Sequence, residues 1–399
     1  MAMRIRLMAL VALILVSACG RVPNAGPTGN YRLYEAAARQ DAPIVALIDT
    51  RSRAAHDQLP LGTPSPDWKH YYTVRSGSLL DIDPASGATS TRVGLPGDYL
   101  LPPATNSGIP GGLSQNGRWL VLQRFDGSAS HLLVFDTTFH TAPRSIDLSG
   151  QFQFDAISND GERVYLIQSI GNGDYHVRVY VMSAGALNPN FVVDKREGGN
   201  AMNGLKLTGV ASHDGQWLFS VYARANHGAF IHALNLDAGF AACLDLPGNG
   251  YSDGDRSSLA WSLALSPDGN HLYATNPAMG VVTEILLKDF PTVGRTVHVA
   301  EPSPVWPAGS VVSADGQTLV IAGSTGIVWL DTSTLTQKRH ALDSWTVRSL
   351  ALSPDGATLY AVNDVGAVAE LSMAGGSVTA TFDPNIAHPI ALMRVEALA

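Results

Sequence analysis

The sequence predicts an all-β fold: a single β-propeller of four-stranded blades closed into a ring. Three observations predict it. A twelve-residue unit recurs seven times along the 399-residue chain, its copies stand 40–54 residues apart, and each end of the chain carries an incomplete unit. Periods of about 40–50 residues with strand-only content mark propeller arrays, whereas helical solenoids show a 3.6-residue period that is missing from these stretches.

The unit is clearest at residues 265–276 (LSPDGNHLYATN) and 352–363 (LSPDGATLYAVN). Looser copies occupy 113–124 (LSQNGRWLVLQR), 157–168 (ISNDGERVYLIQ), 211–222 (ASHDGQWLFSVY) and 312–323 (VSADGQTLVIAG). At 63–74, TPSPDWKHYYTV puts Trp68 in the slot where the others hold glycine. Asp-Gly and Asn-Gly supply the positive φ angles of a tight hairpin turn, and the apolar run after each turn is β-prone. Two more strand-like runs follow each hairpin, as at 326–331 and 337–342 after Gly316, or 131–136 and 144–148 after Gly117. Four strands make one blade. They are labelled a to d from the central channel outward, with the Asp-Gly turn joining a to b.

Residues 1–20, MAMRIRLMALVALILVSACG, open the chain with Arg4 and Arg6, an apolar run at 7–16, and small residues directly before Cys19. The run is too short to span a bilayer as a stable helix. The order resembles a bacterial lipoprotein signal, which implies cleavage before Cys19, lipidation of that cysteine and attachment to a membrane from the extracytoplasmic side, in the periplasm or at the cell surface. The competing reading is an ordinary secretory signal cut after Ala18, or an uncleaved anchor. Residues 1–18 are thus expected as signal peptide, 19–30 as lipidated cysteine and Gly/Pro/Asn-rich tether, and 31–399 as the propeller.

Residues 31–36, 44–49 and 55–61 read as strands b, c and d of a blade without its own strand a. Residues 389–395, PIALMRV, form an isolated strand with no hairpin after it. The economical expectation is that this last strand completes the first blade and removes an open sheet edge. The partial blade and seven hairpins count to eight blades. Seven is the alternative, because the Trp68 copy leaves little room for a strand a and the first two units could merge.

The SPDGxxLYxxN unit, followed by an apolar strand ending in Asp (327–331, and LLDID at 79–83), resembles the YVTN-type propeller repeat of bacterial surface and periplasmic proteins. It is also similar to lactonase-type propellers and to the β subunit of quinohaemoprotein amine dehydrogenase. The resemblance spans residues 31–395 and rests on turn and strand positions. It therefore implies the fold and leaves the activity open.

Composition narrows the function classes. Hydrophobic residues are 45% and charged residues 15% of the chain, the latter below the usual quarter, as expected when strands are buried between stacked sheets. The net charge is −8 and no basic stripe occurs, so nucleic acid is not an expected partner. No CxxCH, HExxH, GxSxG, P-loop or helix-opening GxGxxG is present. Of the two cysteines, Cys19 is taken by lipidation and Cys243 sits in a predicted outer strand as a small hydrophobe, so no disulfide framework is expected.

The b-to-c and d-to-a loops share one end of the channel, the end where long loops place function. On it lie Asp126, Asp174, Asp364, and the 224–228 segment with Arg224 and His227, the best single histidine candidate, weighed against a plain solvated loop histidine. The loop at 249–258 (NGYSDGDRSS) adds Asp253 and Asp255. Its Asp-x-Asp has the oxygen ligands that Ca2+ takes, but lacks the later glutamate of an EF-hand, so a solvated loop is the weightier reading and no cofactor is otherwise expected. The polar segment 194–204 lies on the same face. These residues support a ligand- or protein-binding module ahead of the alternative, an enzyme of lactonase or dehydrogenase-subunit kind at the channel mouth.

Overall fold

The computed structural model describes residues 29–105, 108–194, 201–225, 227–299 and 309–398. Its strands form eight antiparallel sheets in sequence order around a ring. Blades 5 to 8 each take four consecutive strands; in blade 5, for example, a is Leu205–Ala211, b Trp217–Arg224, c His227–Asn235 and d Phe240–Asp245. The one helical element among the described residues is a 3-10 turn at Ser257–Leu259, and none is long and apolar enough to cross a membrane.

The repeated turn explains the repeated sequence. Gly269 and Gly356 have φ of 71° and 70°, in the left-handed region that a Cβ makes unfavourable. The Ser and Asp of the unit tie the turn internally. In the 352–363 copy the Ser353 hydroxyl donates to Asp355 and accepts the backbone N–H of Thr358 at 2.9 Å. Asp355 Oδ1 accepts the backbone N–H of Ala357 at 3.0 Å. The same pattern holds Ser65 to Asp67 and Ser114 to Asn116, both at 2.7 Å. Trp68 does adopt the glycine conformation, at φ 57°. Its ring is retained for packing: it lies 5.0 Å from the Tyr34 ring of blade 1, and the Arg394 guanidinium sits 5.0 Å above it.

The core lies between neighbouring blades rather than at the centre. Leu272 and Ala274 of blade 6 pack on Phe219 and Val221 of blade 5, and Leu33 of blade 1 packs on Tyr360 and Val362 of blade 8. Outer strands such as Thr292–His298 alternate between exposed and half-buried residues.

Closure occurs as the two terminal deficits imply. Pro389–Ala397 pairs antiparallel with Tyr31–Ala37 and serves as strand a of blade 1, whose b, c and d are Tyr31–Ala37, Ile44–Asp49 and Ala54–Pro60. Three side chains lock the seam. Tyr31 donates to Asp355 in the blade 8 turn at 2.8 Å, Tyr34 to Glu396 at 2.8 Å, and the Leu392 N–H to Ser349 in the inner strand of blade 8 at 2.8 Å. The first two units do not merge. Blade 2 keeps a two-residue strand a, Thr63–Pro64, and in blade 3 the inner segment is reduced to bridges such as Leu113↔Leu120. In blade 4 the outer strand is split, with Ala186–Leu187 and Met202–Asn203 each pairing with Asp174–Val181.

Candidate ligand-binding face

The 224–228 segment, expected as a loop, is a hairpin of two strands with only residues 225 and 226 between them. Arg224 ends Trp217–Arg224 and pairs with His227, which opens His227–Asn235. The physical reason is that Arg224 is tied into the sheet: its guanidinium donates to Gly228 O at 2.7 Å and to Asp245 at 3.1 Å, and it stacks over Phe230 at 4.9 Å. Arg224 is therefore a brace for the hairpin. His227 is exposed beside it. The loop bearing Asp253 and Asp255 leans on this hairpin through the Tyr251 N–H, which donates to Arg224 O at 3.0 Å. Gly250 makes that approach feasible, since a Cβ there would stand 2.1 Å from His227 O. The structure thus brings Arg224, His227 and the 249–258 loop together.

The acidic candidates are placed singly. Asp126 is the exposed last residue of Trp119–Asp126. Asp174 opens Asp174–Val181 and accepts the Asn203 side-chain N–H at 2.7 Å. Asp364 is exposed in the turn between Thr358–Asn363 and Val368–Ser372. Asp253 is exposed, and Asp255 accepts the Ser257 N–H at 2.9 Å, which holds its carboxyl below the usual range. Among the described residues no group of three or more His, Cys, Asp or Glu is disposed to hold a metal ion. Cys19 lies outside the described residues.

A cleft of about 740 Å3 opens on the same face, where the ring closes. One side is the loop between strands b and c of blade 1, with Ala38, Arg39 and Asp41; the other is the segment leading from blade 8 into the last strand, with Ile386 and His388. From the blade 1 sheet its lining takes Ala37, Ala46 and Ala55 beside Ile44, His56, Asp57 and Gln58. Glu35 stands on that sheet face, two residues before Ala37 and directly opposite Ala46 in the strand register. Its side chain is fully buried and neither carboxylate oxygen has a hydrogen-bond partner. Burial, with the nearby Asp383 carboxylate adding to it, pushes the Glu35 carboxyl up to about 8.

The repeat shows how unusual that residue is. Glu35 occupies the register position that holds Thr73 in blade 2, Ser220 in blade 5, Ala274 in blade 6 and Ala361 in blade 8. Every other occupant of this position is uncharged. Sequence reading by motif passes over Glu35, because YRLYEAA reads as an ordinary half-buried strand. Aligning the blades by register is the signal that exposes it.

A second polar group lies between blades 4 and 5. The Asp155 carboxylate is paired with Lys206 at 2.6 Å. Deeper in the interface His232 is fully enclosed with neither ring nitrogen hydrogen-bonded, and burial lowers its pKa to about 4. Tyr175 and Tyr222 stack with centroids 5.5 Å apart, and burial raises both hydroxyls well above the usual phenol value.

No family model matches the sequence, and no curated protein matches it significantly. Solved structures do share its fold. The chain is similar to dihydro-heme d1 dehydrogenase NirN, solved in complex with DHE, at 14% identity and a TM-score of 0.57, over 92% of this chain and 76% of that one. It is also similar to apo AztD from Citrobacter koseri, at 11% identity and a TM-score of 0.56, over 93% of this chain and 98% of that one. At these identities the likeness concerns architecture, and the architecture common to the three is the eight-bladed β-propeller.

Proposed function

We propose that this protein is a lipid-anchored, extracytoplasmic propeller of the YVTN-like kind that works as a binding module, its ligand seated in the cleft between blades 8 and 1. The cleft carries the reading. Its volume of about 740 Å3 lies within the range of small-molecule sites, roughly 300–1,000 Å3. Alanines line it beside the polar Arg39, Asp41, His56, Asp57 and His388, and a buried carboxyl without a partner stands behind its wall, where alanine serves in blades 6 and 8. The likeness to a dehydrogenase of the same fold solved with DHE supports a ligand-holding role for such a ring. The alternative, an enzyme at the channel mouth, gains no support from the placement of Asp126, Asp174, His227, Asp253, Asp255 and Asp364.

The test is a thermal-shift screen of the purified protein against a collection of small metabolites, repeated on Ala38→Trp and Ala387→Trp, two exposed positions at the cleft. A ligand at a hundredfold excess over its Kd stabilises the fold by about 2.7 kcal/mol. The stabilisation should vanish in both variants while their own melting temperatures hold. A ligand that stabilises parent and variants alike binds elsewhere and overturns this placement. The anchor is tested separately: Cys19→Ser should move the protein from the membrane fraction to the soluble one or leave it unprocessed, and an unchanged fractionation and migration would remove the lipid from the proposal.

A further inference from the structure

A second, smaller pocket of about 170 Å3 lies along the channel wall, where the inner segments of blades 3, 4 and 5 stand side by side. It shares no lining residue with the cleft, and it stands or falls independently of it. Leu113, Phe154, Ile157, Leu218 and Leu236 give it an apolar body. Its charged lining residues are Asp155 and Lys206, and Gln115 adds a neutral polar side chain.

Both residues sit where an inner strand leaves its register. Phe152–Ile157 slips between Phe154 and Ala156, leaving Asp155 without a cross-strand partner, and Leu205–Ala211 slips between Lys206 and Thr208. Bulges re-aim side chains and are over-represented next to active sites. Here two neighbouring strands bulge and their side chains meet. Lys206 donates to Asp155 Oδ1 at 2.6 Å, with the Asp155 side chain 1% and the Lys206 side chain 23% exposed. The pair is neutral as a whole, yet it is incomplete: Asp155 Oδ2 is buried without a hydrogen-bond partner.

We propose that this pocket binds a small neutral molecule with an apolar body and one head group that both donates and accepts, a carboxamide or a hydroxyl. Charge decides the head group. A ligand carboxylate beside the Lys206 ammonium would stand next to the Asp155 carboxylate, a like charge already 2.6 Å from that ammonium. A ligand ammonium would leave two cations on one carboxylate in a desolvated site, with the surplus charge uncompensated. A neutral amide or alcohol donates to Asp155 Oδ2 and accepts from Lys206 Nζ, which completes both groups. Volume decides the body. A cavity of about 150 Å3 accommodates benzene, so the pocket takes one ring or its aliphatic equivalent.

The probe is benzamide, with toluene, benzoate and benzylammonium as matched controls, titrated into the full-length protein by calorimetry and ligand-observed NMR. Benzamide should bind at least about tenfold more tightly than each control. Ala211→Phe, which fills the pocket from the half-buried Ala211 wall, should abolish that binding while the fold, checked by far-UV circular dichroism and melting, persists. Asp155→Asn leaves Lys206 without its counter-charge and should turn the preference from benzamide to benzoate. If Asp155→Asn fails to fold, the control series and Ala211→Phe still decide. The proposal is overturned if benzamide fails to bind at millimolar concentration, if toluene binds as well as benzamide, or if Ala211→Phe binds it like the parent.

Discussion

Glu35 and His232 are enclosed by the same kind of blade-to-blade packing, and their protonation follows from it in opposite directions. Burial raises Glu35 from 4.5 to about 8, so between those values the folded chain holds a proton that the unfolded chain has released, and stability falls as pH rises. Burial lowers His232 from 6.5 to about 4, so between those values the unfolded chain holds the extra proton, and stability falls as pH drops. From pH 4.5 to 6.5 the two slopes cancel. From 6.5 to 8 only Glu35 acts, and the parent protein should lose about 2 kcal/mol. In Glu35→Gln the balance is released: stability should rise by about 2–3 kcal/mol between pH 4.5 and 6.5 and then stay level to pH 8. Denaturant unfolding of both proteins at pH 4.5, 6.5 and 8 checks this, and parallel profiles would mean that Glu35 ionises normally.

At the scale of the element, the hairpin turn is the unit from which the ring is made. Its serine does two tasks that no apolar residue can do, holding the Asp carboxylate and accepting an N–H at the start of strand b. In the blade 8 copy that N–H belongs to the fully buried Thr358, and the Asp355 it orients also receives the Tyr31 hydroxyl across the seam. The Ser353 hydroxyl is the main reason that the Asp355 carboxyl stays below its usual range. Ser353→Ala should therefore lower stability by about 1–3 kcal/mol, the cost of a buried donor left without a partner, read as a lower denaturation midpoint with an unchanged slope. A midpoint equal to the parent's would show that solvent or another group replaces the hydroxyl. The turns were legible because Ser, Asp and Gly are required there by local geometry. The short strand a of blade 2 and the bridges of blade 3 were not, because pairing over one or two residues leaves no alternation to read.

For the whole molecule, closure rests on strand a of blade 1 arriving from the far end of the chain. Leu392 and Val395 of that strand are buried against blades 8 and 1. Each such side chain contributes about 1.5–3 kcal/mol, and the stability of a domain is of order 5–15 kcal/mol. Deleting residues 387–399 removes these contacts, the Tyr34–Glu396 bond and the edge pairing of Tyr31–Ala37 together. The truncated protein should aggregate or become protease-sensitive, whereas deleting residues 21–28 should leave melting and protease resistance unchanged. A truncated protein that stays monomeric and equally thermostable would show that the ring holds without its seam.

The sequence by itself determined the repeating hairpin and the pairing of the two ends, because each follows from local turn chemistry or from unmatched strands; it counted to eight blades with seven as the alternative, and the two-residue strand a of blade 2 decided for eight. It also placed Arg224, His227 and the 249–258 loop on one face. Only the tertiary structure decided that Arg224 braces a hairpin, that Glu35 is buried beside a cleft, and that Asp155 and Lys206 meet through two bulges. Those facts depend on which residues from different blades share an interface and how little water reaches them. Neither is written in any single repeat: burial and pairing arise only when the next blade is packed against the last.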